Sequence, residues 1–174
     1  MTESKPITVL VLCTGNSARS ILGEALFNHF GQGRVRAFSA GSQPSGKVNP
    51  VALETLDKHG VPLPAEVRSK SWDEFVAPGA LGTTRIDYIF TVCASAAGET
   101  CPVWPGHPTT AHWGIADPAH VEPMEARREA FEVAYQALEK RIKAFLALDL
   151  ETMSAKDVAT AARLIHEAAA EGEQ

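Results

Sequence analysis

The 174-residue chain is poor in sulfur, has no excess of positive charge and contains no long apolar run. Its longest apolar stretches, such as Ile7 to Leu12, fall far short of the roughly 20 residues that cross a bilayer, so no membrane span is expected. Lysine and arginine number 16 against 21 acidic residues, a formal charge of -5, which argues against a general nucleic-acid or anionic-membrane surface. The first twelve residues lack the basic start, longer apolar core and small-residue cleavage site of a secretory signal, and the expected location is cytoplasmic. Three cysteines, an odd number, do not make a permanent disulfide framework in a reducing compartment; buried thiols, metal ligation or redox chemistry stay open. The chain also lacks a dinucleotide-binding glycine fingerprint, a Gly-Lys-Ser phosphate loop and any internal repeat. What it does have is 45% hydrophobic residues, enough for one core. A single domain over residues 1–150 with a C-terminal helical extension over 151–174 is expected.

Ile7 to Leu12 is β-branched and aliphatic throughout, the pattern of a strand covered on both faces. After small and polar residues, Ile21, Leu22, Ala25, Leu26 and His29 follow at helical spacing until Gly31 and Gly33. Val35 to Ala40 reads as a second strand, and Asn49-Pro50 as the cap and first residue of a helix ending at Gly60. A short strand is expected near Val67, a helical turn at Trp72 to Val76, and a second buried strand over Ile86 to Cys93. Ala94 to Gly114 reads as a long functional loop. From Met124, the recurrence of Phe131, Ala134, Tyr135, Leu138, Ile142 and Phe145 predicts about six turns of amphipathic helix. Ser154 and Asp157 then stand in the positions of a capping box, opening a last helix that reads as a weakly packed appendage. Alternating strands and helices imply an α/β fold: an open, mainly parallel four-stranded sheet with helices on both faces and the C-terminal helical extension. In such sheets ligands bind at the carboxyl ends of the strands, where Cys13 and Cys93 both fall.

Between the first strand and its helix lies Cys13-Thr14-Gly15-Asn16-Ser17-Ala18-Arg19-Ser20, a segment suited to wrapping an oxyanion. Backbone amides in a tight loop form an anion-binding nest, the helix start adds roughly half a positive charge, and the arginine fork grips two oxygens. The same field favours a thiolate at Cys13, lowering its pKa from about 8.5 to about 4–7 and making it a nucleophile. Gly15 permits the close turn, Asn16 holds the loop by side-chain hydrogen bonds, and Ser20 offers a hydroxyl to the sulfur. The plainer reading makes Cys13 a buried strand-end thiol and Arg19 a surface charge. Asp117-Pro118 is either a common turn starter or a loop carboxylic acid facing the same pocket.

Cys, five residues, Arg and Ser after the first strand resemble the low-molecular-weight protein tyrosine phosphatase fold. Further motifs are Ser39-Ala40-Gly41, Asn49-Pro50, Thr91-Val92-Cys93, Cys101-Pro102 and His112-Trp113-Gly114 with Asp117-Pro118. With these, the chain is more closely similar to the arsenate reductases of that fold, the type coupled to thioredoxin, from about Ile7 to Leu148. The resemblance implies Cys13 as nucleophile, residues 14–20 as the oxyanion cradle with Arg19 as clamp, and Asp117 as acid. It implies Cys93 and then Cys101 as a thiol–disulfide relay, which a phosphatase does not need. No bound cofactor is implied. The expected partners are arsenate, with phosphate as its analogue, and an external thiol reductant, thioredoxin or glutaredoxin.

Some relatives hold potassium beside this loop. Here Asn16, Glu24 and Ser69 match that pattern, but the carboxylate position is Ser71, and Lys70 could supply a positive charge instead. A zinc site would draw on Cys93, Cys101, His107, His112 and His120, whose spacing fits a structural site only loosely. The alternatives to a reductase are a phosphotyrosine or phosphoester phosphatase, and a non-catalytic oxyanion or redox sensor. Ala119-His120, standing where such phosphatases carry a tyrosine-rich rim, weighs against the first.

Overall fold

The computed structural model describes residues 6–63, 67–75, 85–92 and 109–172. These form strands β1 (Ile7–Leu12), β2 (Val35–Ala40), β3 (Tyr88–Thr91) and β4 (Thr109–His112). The α-helices are α1 (Arg19–Gly31), α2 (Pro50–Lys58), α3 (Met124–Leu146) and α4 (Ala155–Gly172), with a 3-10 helix at Trp72–Phe75. The sheet is parallel throughout, in the order β2-β1-β3-β4, as the alternation of elements predicted.

Why β1 is a continuous apolar run is visible in the packing. Its residues alternate between two cores, Val9 and Val11 facing one and Leu10 and Leu12 the other. The first core takes side chains from all four α-helices, including Leu22, Leu56, Phe131, Leu138 and Val158. The second is closed by Trp72 and Phe75 of the 3-10 helix with Ile86 and Ile89. Both faces of the central strand are therefore dry, and its end delivers Cys13 to the sheet's carboxyl edge. Asn49 caps α2 as expected: its Oδ1 accepts from Val51 N at 2.9 Å, ahead of Pro50 at the first helical position.

Three expectations need correction. Among the described residues no strand forms near Val67, and the segment joins β-structure through an isolated bridge between Gly41 and Ser71. The fourth strand is instead Thr109–His112, within the segment read as a loop. It is a short, half-exposed edge strand of sequence TTAH, too polar to announce itself by hydrophobic pattern. The last helix is also no loose appendage, since Val158, Ala162 and Ala169 are 1%, 2% and 3% exposed. Asp157 N bonds to Ser154 Oγ at 3.1 Å, half of the capping arrangement expected there. Among the described residues no helix is long and apolar enough to cross a membrane.

Candidate active site

The loop after β1 is shaped by its neighbours. Thr14, Gly15 and Ser17 carbonyls accept from Gln43, Ser45 and Asn49 amides at 2.9, 2.9 and 2.8 Å. A trans peptide points its C=O and N–H in opposite directions, so the amides of Gly15, Asn16 and Ala18 turn the other way, toward the inside of the loop. Asn16 supplies the reversal, in the left-handed region at φ 44. Its fully buried side chain clamps the turn, donating to Ser20 Oγ at 2.8 Å and accepting from Lys70 N at 2.8 Å. Gly41 passes so close that a Cβ there would stand 2.4 Å from the Thr14 carbonyl oxygen and 2.5 Å from that of Cys13. The glycine of the Ser39-Ala40-Gly41 motif is thus required by close approach.

The helix that follows starts with its positive end uncompensated. Ala18 at the cap position offers no side-chain acceptor, and the first turn holds no acid. The buried Cys13 shares with residues 14–19, Asp117, Ala119 and His120 a cavity of about 230 Å3. That is below the roughly 300–1,000 Å3 usual for larger organic ligands and suits a small ion. Arg19 is held by Nη1 on the Ile115 carbonyl at 2.8 Å, while its Nη2 lies 3.6 Å from Asp117 Oδ2. Its Nε is buried and has no hydrogen-bond partner among the described residues, a donor that an oxyanion would satisfy. Asp117 is exposed and fixed by its Oδ1, which accepts from Ala119 N at 2.9 Å.

Beneath the loop lies a buried ion pair. Glu24 accepts from Ser39 Oγ at 2.5 Å, and the Lys70 ammonium stands 3.8 Å from its Oε1. Both side chains are about 5% exposed or less. Burial pushes Glu24 up and Lys70 down, each opposed by the other's charge. At the position where some relatives carry a carboxylate, Ser71 Oγ accepts from Asp73 N at 3.1 Å at the start of the 3-10 helix, and the Lys70 ammonium faces Glu24.

The structure brings together Cys13, residues 14–19 and Asp117 around one cavity, with Ser20 buried behind. Cys93, Cys101 and His107 lie outside the described residues. Val92, the last described residue before Cys93, donates its amide to the Leu12 carbonyl at 2.9 Å, beside the entry to the Cys13 loop. Among the described residues no cluster of His, Cys, Asp and Glu is placed to hold a metal ion. Sequence reasoning gave no part in the site to Ile115, whose carbonyl seats Arg19; a backbone acceptor leaves no mark in residue type. His120, read only as a candidate metal ligand and as a departure from an aromatic rim, lines the cavity.

Comparison with known proteins agrees with this geometry. An arsenate reductase of Shouchella clausii is 31% identical over 138 residues, covering 79% of this chain and 93% of that protein. A solved arsenate reductase from Archaeoglobus fulgidus aligns with a TM-score of 0.59 at 28% identity, over 80% of this chain and 99% of the other. A thioredoxin-dependent arsenate reductase of Corynebacterium glutamicum gives a TM-score of 0.55 at 26% identity, over 82% of this chain and 64% of that longer one. The resemblance to arsenate reductases of this fold, read from the motifs, is borne out. A family model described as low molecular weight phosphotyrosine protein phosphatase matches residues 8–159, and to that family the chain belongs.

Proposed function

We propose that this protein reduces arsenate to arsenite with an intramolecular thiol relay, recycled by thioredoxin or a similar dithiol carrier. The observation that carries the reading is one small cavity lined by the buried Cys13 and by Arg19, whose buried Nε has no hydrogen-bond partner among the described residues. The curated relatives supply the choice of oxyanion.

In this scheme the Cys13 thiolate attacks arsenic, forming an S–As bond. One As–O bond breaks, and its oxygen leaves as water with protons that include one from Asp117. Arg19 and the amides of Gly15, Asn16 and Ala18 hold the remaining oxygens. Ser20, whose oxygen already accepts from Asn16, has its hydroxyl proton to give to the thiolate. The Cys93 thiolate then attacks Cys13 Sγ; the S–As electron pair passes to arsenic, which departs as arsenite, and the two sulfurs are oxidised to a disulfide. Cys101 attacks Cys93, restoring the Cys13 thiolate and leaving a Cys93–Cys101 disulfide for the external dithiol. Lys70 stabilises the loop from below by its charge, in the role potassium has in some relatives. The reducing cytoplasm is the compartment in which these thiols persist, and residues 151–174 belong to the same domain as the site.

The competing reading is phosphoester hydrolysis, favoured by the description of the family model and by the near-identity of phosphate and arsenate in shape. The deciding experiment supplies arsenate with thioredoxin, thioredoxin reductase and NADPH. Continuous NADPH consumption in proportion to arsenate is expected. A single oxidation without turnover, as in a sensor, or phosphoester hydrolysis alone, would overturn the proposal.

A further inference from the structure

Four residues before Asp117, the chain is tied to an element that lies almost wholly beyond the part resembling the family. Trp113 follows β4 directly, its side chain 0% exposed and packed on Phe90 with ring centroids 4.2 Å apart. A buried indole has one donor and must place it. Trp113 Nε1 gives its hydrogen to the Ala162 carbonyl, in the middle of α4, at 2.9 Å. A helical carbonyl has a second lone pair for such a bond.

The helix offering that carbonyl is itself anchored. Val158 and Ala162 join the core that contains Cys13. Arg141 of α3, 1% exposed, donates from Nε to His166 Nδ1 at 3.0 Å, fixing α4 against α3. On the other side, the segment beginning at Trp113 runs straight into the site. Trp113 N donates to Thr91 O at 2.7 Å and Ile115 N to Val92 O at 2.9 Å, while Ile115 O receives Arg19. Asp117 is two residues further, beside the same guanidinium.

We infer that α4 is a positioning element of the catalytic site: through the Ala162 carbonyl it fixes Trp113, and through Trp113 the strip that seats Arg19 and presents Asp117. Trp113 is a positioning residue, touching no substrate. The inference rests on the reading of Asp117 as the acid, and on no particular choice between arsenate and phosphoester. Replacing the indole with a phenyl ring removes the N–H together with part of the buried ring, the Ile115–Asp117 strip loses its tie to α4, and displacement of an acid by a fraction of an ångström slows proton transfer.

A double-mutant cycle in the full-length protein tests this, using Trp113→Phe, Asp117→Asn and the pair together. Each is assayed on arsenate with the thioredoxin couple and, in parallel, on p-nitrophenyl phosphate. Trp113→Phe is expected to lower kcat by about tenfold with KM within about twofold. In the Asp117→Asn background the same change should cost clearly less, only what the seat of Arg19 contributes. Should Trp113→Phe fail to fold, Val158→Ala, which loosens the seat of α4, enters the same cycle with the same expectation. An unchanged kcat, or a loss that multiplies fully with that of Asp117→Asn, would overturn the inference. Arsenate turnover that fails while the cycle on p-nitrophenyl phosphate behaves as expected would count against the arsenate reading and leave the positioning role standing.

Discussion

The side chains that make the loop rigid are buried polar groups, each with a partner. Asn16 is the clearest: fully buried, it joins the loop, the helix start and the 67–71 segment with one amide. Glu24 and Lys70 form the layer below, and their coupling gives a pH prediction. Glu24 titrates higher folded than at its ordinary 4.5, so its contribution to stability is full below that value and is lost as pH rises through the folded one. Lys70→Met removes the attraction that limits this rise and leaves a buried carboxylate uncompensated. A destabilisation of about 3–5 kcal/mol is expected near pH 8 by urea unfolding, shrinking as pH falls toward 5 and Glu24 takes up a proton. A deficit that stays constant or grows on acidification would contradict the pairing.

At the scale of elements, the close passage of Gly41, directly after β2, against the Cys13 loop is the sharpest constraint. Gly41→Ala would drive a methyl group into two backbone carbonyls that cannot move without opening the Cys13 turn. It should cost about 1–3 kcal/mol in urea unfolding and slow alkylation of the Cys13 thiolate at neutral pH; wild-type stability and reactivity would show that the loop has room to shift. Much of this level was legible in the sequence. Ile7–Leu12 announced a doubly buried strand, Asn49-Pro50 a capped helix start, and the spacing from Met124 a long amphipathic helix, because in each case local chemistry and tertiary burial agree. The fourth strand was not legible: Thr109–His112 is held by pairing with β3, and its side chains alternate without any strong apolar face. Nor was the burial of α4, whose inward residues are largely alanines, small enough to pack closely on the sheet edge but weak as a hydrophobic signal. Cys13, Arg19 and Asp117, singled out by residue type and spacing, line one cavity. The backbone acceptors, Ile115 and Ala162, carry no such trace.

Across the whole molecule, one parallel sheet collects the chemistry at its carboxyl edge. Cys13 follows β1, α1 begins with Arg19, and the strip beyond β4 returns with Asp117. The same edge receives Val92 beside Leu12, next to the loop that begins at Cys13. That arrangement suits hydrolysis and reduction equally; the additional sulfurs separate them. The most direct test is Cys93→Ser, assayed for arsenate-dependent NADPH consumption with thioredoxin and thioredoxin reductase and, on the same sample, for p-nitrophenyl phosphate hydrolysis. The account predicts that reduction by the relay stops while hydrolysis stays within about twofold of wild type. Sustained reduction at the wild-type rate by that variant would contradict it.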